Sequence, residues 1–372
     1  MDPELHLDWL RMIRSPGLGA ATIGRLIHHL GTPQALLQAT RQQLGTIPGI
    51  RSGAIRALER FRQEIPAEPI QRELDRLHAL GGVMILPGTP EYPPLLSEIH
   101  DPPAALFVLG DATLLTHPAM VAITGTRKTT PRGVSFAADL ARELTRSEVL
   151  IVSGLSAGID AAAHCGAMEA PGPTMAVLAT GLDIVHPRDH RELQRRIAHQ
   201  GCLISEAPLG LMPVPWAFPP RARILSGITR GVVVVEAPEG SGALLTAHMA
   251  LEQGREVFAV PGPPNETNTR GPHDLLRQGA RLVEKAADIL EELKWSPAPR
   301  FRPPAEPPPT PDLPDEVAAI LTHIQGGATQ EDDLARCCQL TVAALSRILL
   351  QLEISGLVQR LPGGRYAVTP RS

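Results

Sequence analysis

Three glycine-rich turns, each following an apolar run of β-strand character, constrain the fold of this chain more than any other feature. The first lies in Val121-Ala-Ile-Thr-Gly-Thr-Arg-Lys-Thr-Thr130, where the apolar run ends at Gly125 and a basic, hydroxyl-rich turn of Thr126, Arg127, Lys128 and Thr130 opens toward a helix. The second is Leu150-Ile-Val-Ser-Gly-Leu-Ser-Ala-Gly-Ile-Asp160, with Ser153, Gly154, Ser156 and Gly158. The third is Val232-Val-Val-Val-Glu-Ala-Pro-Glu-Gly-Ser-Gly-Ala-Leu-Leu-Thr-Ala247, with Ser241, Gly242 and Thr246. A strand, a glycine turn and a helix in succession predict an α/β domain, and such turns offer backbone N–H groups where the helix dipole is positive, an arrangement suited to phosphate oxygens.

No turn carries GxxxxGK[ST], and no clean GxGxxG follows the first strand, so the usual mononucleotide and dinucleotide fingerprints are missing. The alternative for each turn is purely geometric: glycine makes a tight βα connection and binds nothing. Cationic side chains are nearly all arginine, with lysine only at 128, 285 and 294. Cationic sites therefore present planar, bidentate donors suited to phosphate. The four cysteines show no CxxC spacing and predict neither a metal centre nor a disulfide framework. With no apolar stretch of about 18 residues and no basic-then-apolar leader at the start, a soluble cytoplasmic protein is expected.

At 372 residues the chain can hold several cores. The clearest boundary is the proline-rich run 296–314, which cannot supply helix or sheet donors and reads as an extended linker. A softer boundary near Ile65 to Pro69 separates a helical segment, 1–65, from a central domain, 66–295. Residues 1–65 carry two similar turns, Ser15-Pro-Gly-Leu-Gly19 and Thr46-Ile-Pro-Gly-Ile50, each opening a helix, as in helix-hairpin-helix or SAM-like modules. The turn amides of such hairpins bind DNA backbone without reading sequence; the alternative is a bundle using Pro-Gly only for geometry. This stretch holds eight arginines against five carboxylates, a balance of +3, while the whole chain is −4. Residues 315–372 read as three helices and two short strands around Pro362-Gly-Gly364, the outline of a winged helix. Only Arg347 on its third helix is an obvious groove contact, which points to protein contact or weak DNA contact rather than sequence-specific reading.

Between the second and third turns lies Trp216-Ala-Phe-Pro-Pro-Arg-Ala-Arg-Ile-Leu-Ser-Gly227. If extended, it points Arg221 and Arg223 to one side, ready for successive phosphates; as a surface helix it leaves them solvated. Phe218 is either a stacking face for a base or part of the core. Leu275, Leu276, Leu282, Val283 and Ile289 have helix-compatible apolar spacing at the end of the central domain, suited to self-association or to burial within one subunit.

Taken in order, Thr124-Gly-Thr-Arg127, Ser153-Gly-Leu-Ser-Ala-Gly-Ile-Asp160 with His164, Thr180-Gly-Leu-Asp183, Ser205-Glu-Ala-Pro208, Phe218-Pro-Pro-Arg-Ala-Arg-Ile224, Glu236 through Ala247, Gly254-Arg-Glu-Val-Phe-Ala-Val-Pro-Gly262 and Gly279-Ala280 resemble the DNA-processing protein A (DprA/Smf) family. The resemblance covers residues 80–290 closely. It implies an extended Rossmann-like central domain that binds single-stranded DNA, flanked by the N-terminal helical and C-terminal winged-helix modules. It also implies loading of the RecA recombinase in natural transformation, displacement or bypass of single-strand-binding protein, and no catalytic residue or cofactor. Carried over by position, Gly125, Thr126 and Arg127 form the phosphate turn, and Arg221 and Arg223 continue a basic pocket. The family's self-association surface falls on the region of His273, Leu275, Leu276 and Leu282, implying a homodimer. The chain departs from the family at Ala222 and His273, where asparagine is usual.

Two other functions fit parts of the sequence. A Rossmann-like hydrolase of small nucleotides needs a positioned acid or base, for which Asp160, His164, Asp183, Glu206 and Glu236 are available. A transcription regulator acting through the winged helix requires duplex binding with sequence preference.

Overall fold

The computed structural model describes residues 3–170, 172–295, 320, 323–324, 330–338, 340–354, 358–361 and 365–368. The proline-rich run 296–314 lies outside the described residues, as does most of the helix expected at 317–324. The chain divides into two compact units, residues 1–300 and 301–372.

Short runs of Val, Ile, Leu and Ala become the strands of a nine-stranded sheet because both of its faces are covered, and such strands need no polar alternation. In chain order these are β1 (Gly82–Ile85), β2 (Leu106–Gly110), β3 (Met120–Thr124), β4 (Leu150–Ser153), β5 (Thr174–Val177), β6 (Cys202–Ser205), β7 (Gly231–Val234), β8 (Glu256–Ala259) and β9 (Arg281–Leu282). They are ordered β1-β2-β6-β5-β4-β3-β7-β8-β9. From β6 through β9 the pairing is parallel, while β1 and β2 form an antiparallel edge. The order reverses at β3: the chain runs outward through β4, β5 and β6, then returns to place β7 on the other side of β3. Loops leaving β3 and β7 therefore diverge, opening the crevice in which parallel α/β sheets bind ligands.

Successive residues of each strand serve opposite faces. Ala122, Val152, Val177, Ile204, Val232 and Ala259 pack on one side under α11 (Phe218–Gly227) and α12 (Gly242–Glu252). On the other side Val121, Ile123, Ile151, Val233 and Phe258 meet α8 (Pro131–Arg146) and α9 (Ile159–Glu169). At the β1–β2 end of that second face, Met84, Phe107, Ala176 and Leu203 join a core supplied by the N-terminal helices, with Trp9, Leu10, Met12, Ile23, Leu26 and Phe61.

Those helices are α1 (Pro3–Ile13), α2 (Ala20–Leu30), α3 (Pro33–Gln38), α4 (Arg41–Thr46), α5 (Ser52–Glu64) and α6 (Ala67–Ala79). Trp9 is fully buried, and its indole N–H donates to the Ala104 carbonyl at 2.7 Å. Arg14 pairs with Glu73 at 2.9 Å, whose carboxylate also accepts the Leu209 N–H at 3.3 Å. The N-terminal helices and the sheet thus share one apolar cluster, and the boundary read near Ile65 to Pro69 falls between α5 and α6, both of which line it.

In the second unit, helices Glu331–Cys337 and Val342–Ile354 pack with an antiparallel pair, Val358–Leu361 and Arg365–Val368, around Leu334, Leu345, Leu349, Val358 and Tyr366. This is the winged-helix outline expected from the sequence. Arg336 is ion-paired with Asp333, and Arg347 is exposed.

Helix α8 packs extensively on α9 through small residues, with Ala137 and Ala141 in one cluster with Ala162 and Ala163. A Cβ on Gly166 would collide with the backbone of Ala138. We therefore expect Gly166→Ala to force the two helices apart and destabilise the protein by about 1–3 kcal/mol, seen as a lower urea midpoint; an unchanged midpoint would show that the pair can separate without cost.

Candidate functional site

At the crevice beside β3, a cleft of about 390 Å³ is lined by the first turn (Thr124 to Lys128), by Ser156 and Asp160 of the second, by Phe218, Arg221 and Ala222 of α11, and by Ser241, Gly242, Ala243, Leu245 and Thr246 of the third. All three glycine turns of the sequence therefore converge on one opening. The sheet reversal explains this, since β3, β4 and β7 are neighbours and their carboxyl ends lie at the same rim.

The first turn is held by a carboxylate that the sequence offered only as a candidate acid. Glu236, at the end of β7, is 6% exposed. Its side chain accepts from the Thr129 hydroxyl at 2.9 Å, the Thr130 N–H at 2.9 Å, the Thr130 hydroxyl at 2.5 Å and the Asn268 amide at 3.3 Å. Its backbone carbonyl accepts from Thr126 N–H at 2.6 Å. Asn268 also donates to the Lys128 carbonyl at 2.9 Å. With every bond arriving from a donor, the side chain is suited to an ionised carboxylate that stands against the N-terminus of α8. Side chains are also excluded from this packing: a Cβ on Gly125 would lie 2.6 Å from Ile159 and 2.7 Å from the Glu236 carbonyl.

The second turn is tied to the first by Asp160, which is 1% exposed. It accepts from the Thr124 hydroxyl at 3.0 Å and from Ser156 N–H at 3.2 Å, and lies 3.7 Å from the Arg221 guanidinium. Gly158, with φ of 83°, sits where α9 begins, and a Cβ there would strike the Thr126 carbonyl. Arg221 donates to the Gly154 carbonyl at 3.0 Å and the Ser156 hydroxyl at 3.2 Å. Burial lowers its pKa, Asp160 opposes that shift and the neighbouring Arg127 charge adds to it.

Arg127 is exposed and has no ion pair among the described residues. Its guanidinium stands 5.2 Å from the centroid of the Phe218 ring, and that of Arg221 stands 5.6 Å from the same centroid. His186 meets the ring edge-on at 6.4 Å. Phe218 is thus half-buried between two cations, outside the main clusters of the core. On the far wall α12 follows its N-cap Ser241 with no side chain capping its first turn, and the buried Ser241 hydroxyl has no partner among the described residues. Trp216, two residues before Phe218, is 65% exposed. In the sequence, a second aromatic two residues before Phe218 is the signal for Trp216, and nothing local marks Asn268.

Several residues expected to bind phosphate are placed elsewhere. Arg223 does not continue the cleft: α11 is a helix, on which residues two apart point about 200° from each other. Arg223 instead bonds Asp101 at 3.1 Å and Glu206 at 2.6 Å. It lies off the lining of the cleft, and its two carboxylate partners mean that it is not the solvated side chain of the helical alternative either. The Ser153 hydroxyl is fully buried and donates to the Ile123 carbonyl at 2.6 Å. Thr130 caps α8 by accepting from Gly133 N–H at 3.1 Å. Thr246 reaches the cleft wall but is 1% exposed, its hydroxyl 3.4 Å from the Gly242 carbonyl. Gly154 and Gly158 shape the turn behind the opening, while Lys128, Ser241 and Gly242 line it.

The residues read as a self-association surface also separate. Leu275, in α13 (Arg270–Arg277), is a core residue with 1% exposure, so burial in its own subunit is the alternative realised there. Leu276 is half-buried on the same cluster, and the His273 ring bonds the Gly262 carbonyl at 3.1 Å. Leu282, on the edge strand β9, is 49% exposed.

The five acid–base candidates are engaged in structure. Asp183 accepts from Gly210 N–H at 2.7 Å and from Arg76 at 2.6 Å; Glu206 holds Arg223. His164 is fully buried, with Nδ1 2.8 Å from the Thr174 hydroxyl, which itself donates to the Ile151 carbonyl. The ring therefore donates from Nδ1, leaving Nε2 without a partner. Burial, then the charges of His190 and Arg221, lower its pKa from 6.5 to about 3.

Three family models match the chain: DNA recombination-mediator protein A over residues 83–294, DprA winged helix domain over 303–364, and DprA-like N-terminal HHH domain over 3–68. Protein Smf of Escherichia coli is 35% identical over 364 residues, covering 96% of this chain and 94% of its own length. The DNA processing protein DprA of Bacillus subtilis is 40% identical over 294 residues, 79% of this chain and 91% of its own. Among solved structures, the DNA processing protein A of Streptococcus pneumoniae superposes with a TM-score of 0.68 at 33% identity, covering 77% of this chain and 97% of that one. The same protein from Helicobacter pylori, described by its single-stranded DNA binding mode, gives 0.52 at 29% identity over 57% of this chain and 95% of that one.

Two outcomes follow from this geometry. Glu236→Gln sets an amide NH₂ among donors, so we expect a loss of about 1–3 kcal/mol in urea unfolding; equal midpoints would mean that the turn is held without the charge. The depressed pKa of His164 means that the unfolded chain takes up a proton the folded chain refuses. Stability is then fully present above pH 6.5 and falls as pH drops toward 3, at up to about 1.4 kcal/mol per unit. His164→Gln should flatten that limb between pH 6.5 and 4.5; an unchanged slope would assign it to other groups.

Proposed function

The chain belongs to the DNA recombination-mediator protein A family, and from that premise we propose that it grips single-stranded DNA in the cleft beside β3. The observation that carries the reading is the Phe218 ring held between the guanidiniums of Arg127 and Arg221, opposite the uncapped first turn of α12. Phosphates are met by Arg127, Lys128 and the amides of Gly125 and Gly242. Bases need a face to stack on, and in a single strand they are free to use Phe218 and the exposed Trp216. Arg221, tied to Asp160 and Ser156, acts chiefly as the rigid floor of the site. A solved relative whose binding of single-stranded DNA is described supports the same assignment.

The proposal extends to what the strand is held for. Coverage of incoming single strands in the cytoplasm, displacement of single-strand-binding protein, and delivery to a RecA recombinase form one activity, for which a homodimer built around Leu276 and the edge strand β9 presents two clefts. No reaction is assigned to Asp160 or Glu236, whose carboxylates hold the loops, or to His164, which is fully buried against Thr174.

The reading is tested by fluorescence anisotropy of labelled poly-dT and a matched duplex at two salt concentrations. Poly-dT should bind more tightly than duplex and weaken with salt. Arg127→Ala should lower the salt slope by about 0.7, and Phe218→Ala should cost about 1–3 kcal/mol. Stimulation of RecA on strands coated with single-strand-binding protein should fall in parallel, and sedimentation should give a dimer that Leu276→Asp dissociates. Indifference of poly-dT to both cleft variants would remove the cleft from the function.

A further inference from the structure

We propose that His186 is a further strand-binding residue of the cleft beside β3: its ring donates a hydrogen bond to the backbone phosphate that Arg127 holds, so that the strand and one proton bind together. The inference rests on the reading of that cleft as a single-strand site and adds a group to it.

The first observation is where the ring stands. The connection from β5 to α10 (Arg191–Gln200) brings His186 edge-on to Phe218, with 6.4 Å between the ring centroids. The guanidiniums of Arg127 and Arg221 lie 5.2 and 5.6 Å from that same Phe218 centroid. A base stacked on Phe218 therefore brings its phosphates among three nitrogen-bearing side chains. The connection is tied down on both sides of the ring, since Asp183 accepts from Gly210 N–H at 2.7 Å and His190 donates from Nδ1 to the Leu155 carbonyl at 3.0 Å.

The second observation is that the ring is unused. His164 spends its Nδ1 on the Thr174 hydroxyl and His190 on the Leu155 carbonyl. His186 is half-buried and has no hydrogen bond or ion pair among the described residues. Both of its nitrogens are left for solvent or a ligand.

The third observation is the set of charges around it. The turn after β3 supplies Arg127 and Lys128, α11 supplies Arg221, and the turn Arg188–His190 supplies Arg188, Asp189 and His190. Of the nearby carboxylates, Asp160 stands against Arg221 and Asp183 is held by Gly210 N–H and Arg76, while the connection 207–217 after β6 has no titratable residue. Burial, then the charges of Arg127, Arg221 and His190, keep the His186 pKa below its ordinary value of 6.5, so the ring is neutral near pH 7 before a strand binds. A phosphate docked on Arg127 offsets the guanidinium charge and sets an anionic oxygen before the ring, which favours imidazolium. The proton comes from solvent, and the imidazolium N–H then donates to the phosphate oxygen. Affinity therefore falls as pH rises through the raised pKa of the complex, and levels off below the lowered pKa of the free ring.

The test is calorimetric titration of the full chain with a short dT strand that one cleft can fill, whose own groups exchange no proton near neutrality. It is run at constant ionic strength at about pH 8 and about pH 6.5, across the range in which a histidine changes charge, in two buffers of different ionisation enthalpy so that protons are counted. We expect parental affinity to rise about three- to tenfold toward the lower pH, within the tenfold per unit that one proton allows, with uptake of a fraction of one proton per strand. His186→Gln should match the parent at the higher pH, lose the rise and take up no proton. His186→Phe, which keeps an aromatic edge against Phe218, should do the same, and His190→Gln should keep the rise. A parental affinity that is flat with pH would overturn the proposal, as would a rise that survives in His186→Gln or His186→Phe, or one that disappears in His190→Gln. Failure of the cleft reading itself shows separately, as equal binding of the strand by the parent and Arg127→Ala at both pH values.

Discussion

The arrangement of the site depends on one buried carboxylate at the point where the sheet reverses direction. Glu236 ends β7, and the donors it gathers come from the turn after β3 and from Asn268. Parallel strands whose connections run to opposite sides necessarily leave a crevice there, but a crevice alone is floppy. A charge taken out of water must be met by several donors, and here the donors are the backbone and hydroxyls of the loop that has to be fixed. The cost of burying Glu236 and the order of the first turn are therefore the same interaction. Asp160 repeats the device one strand over, tying Thr124 to Ser156 and orienting Arg221.

This separates the arginines into two populations. Those with carboxylate partners, such as Arg223 and Arg14, hold segments distant in sequence together, their charge already met by a carboxylate. Those without, such as Arg127 in the cleft, stay solvated and available. A whole-chain charge of −4 says nothing about binding polyanions. Screening at physiological salt limits the reach of a charge to about 8 Å, so a phosphate feels the local cluster and not the sum.

The strand–turn–helix order, the winged-helix outline and the three glycine turns were legible because each is written in contiguous residues. What escaped was long-range pairing. Arg223 finds Asp101 across 122 residues and Trp9 finds Ala104 across 95. No local pattern announces either bond, and each changes a functional reading: the first withdraws an arginine from the cleft, and the second makes the N-terminal helices part of the sheet's own core. Glu236 and Asn268 were hidden for the same reason, since their partners lie on other loops. Arg221 and Arg223 illustrate a further limit. The sequence left their segment either extended or helical, and the helix that formed sends residues two apart to different sides of the fold.

The central cleft also sets what it asks of a ligand. An aromatic ring and two cations stand together there, so on the proposed reading a strand must expose its bases to use the whole site, and pairing into a duplex forfeits the stacking contribution of about 1–3 kcal/mol per base. A preference for single strands then rests on Phe218, and the response to salt on Arg127.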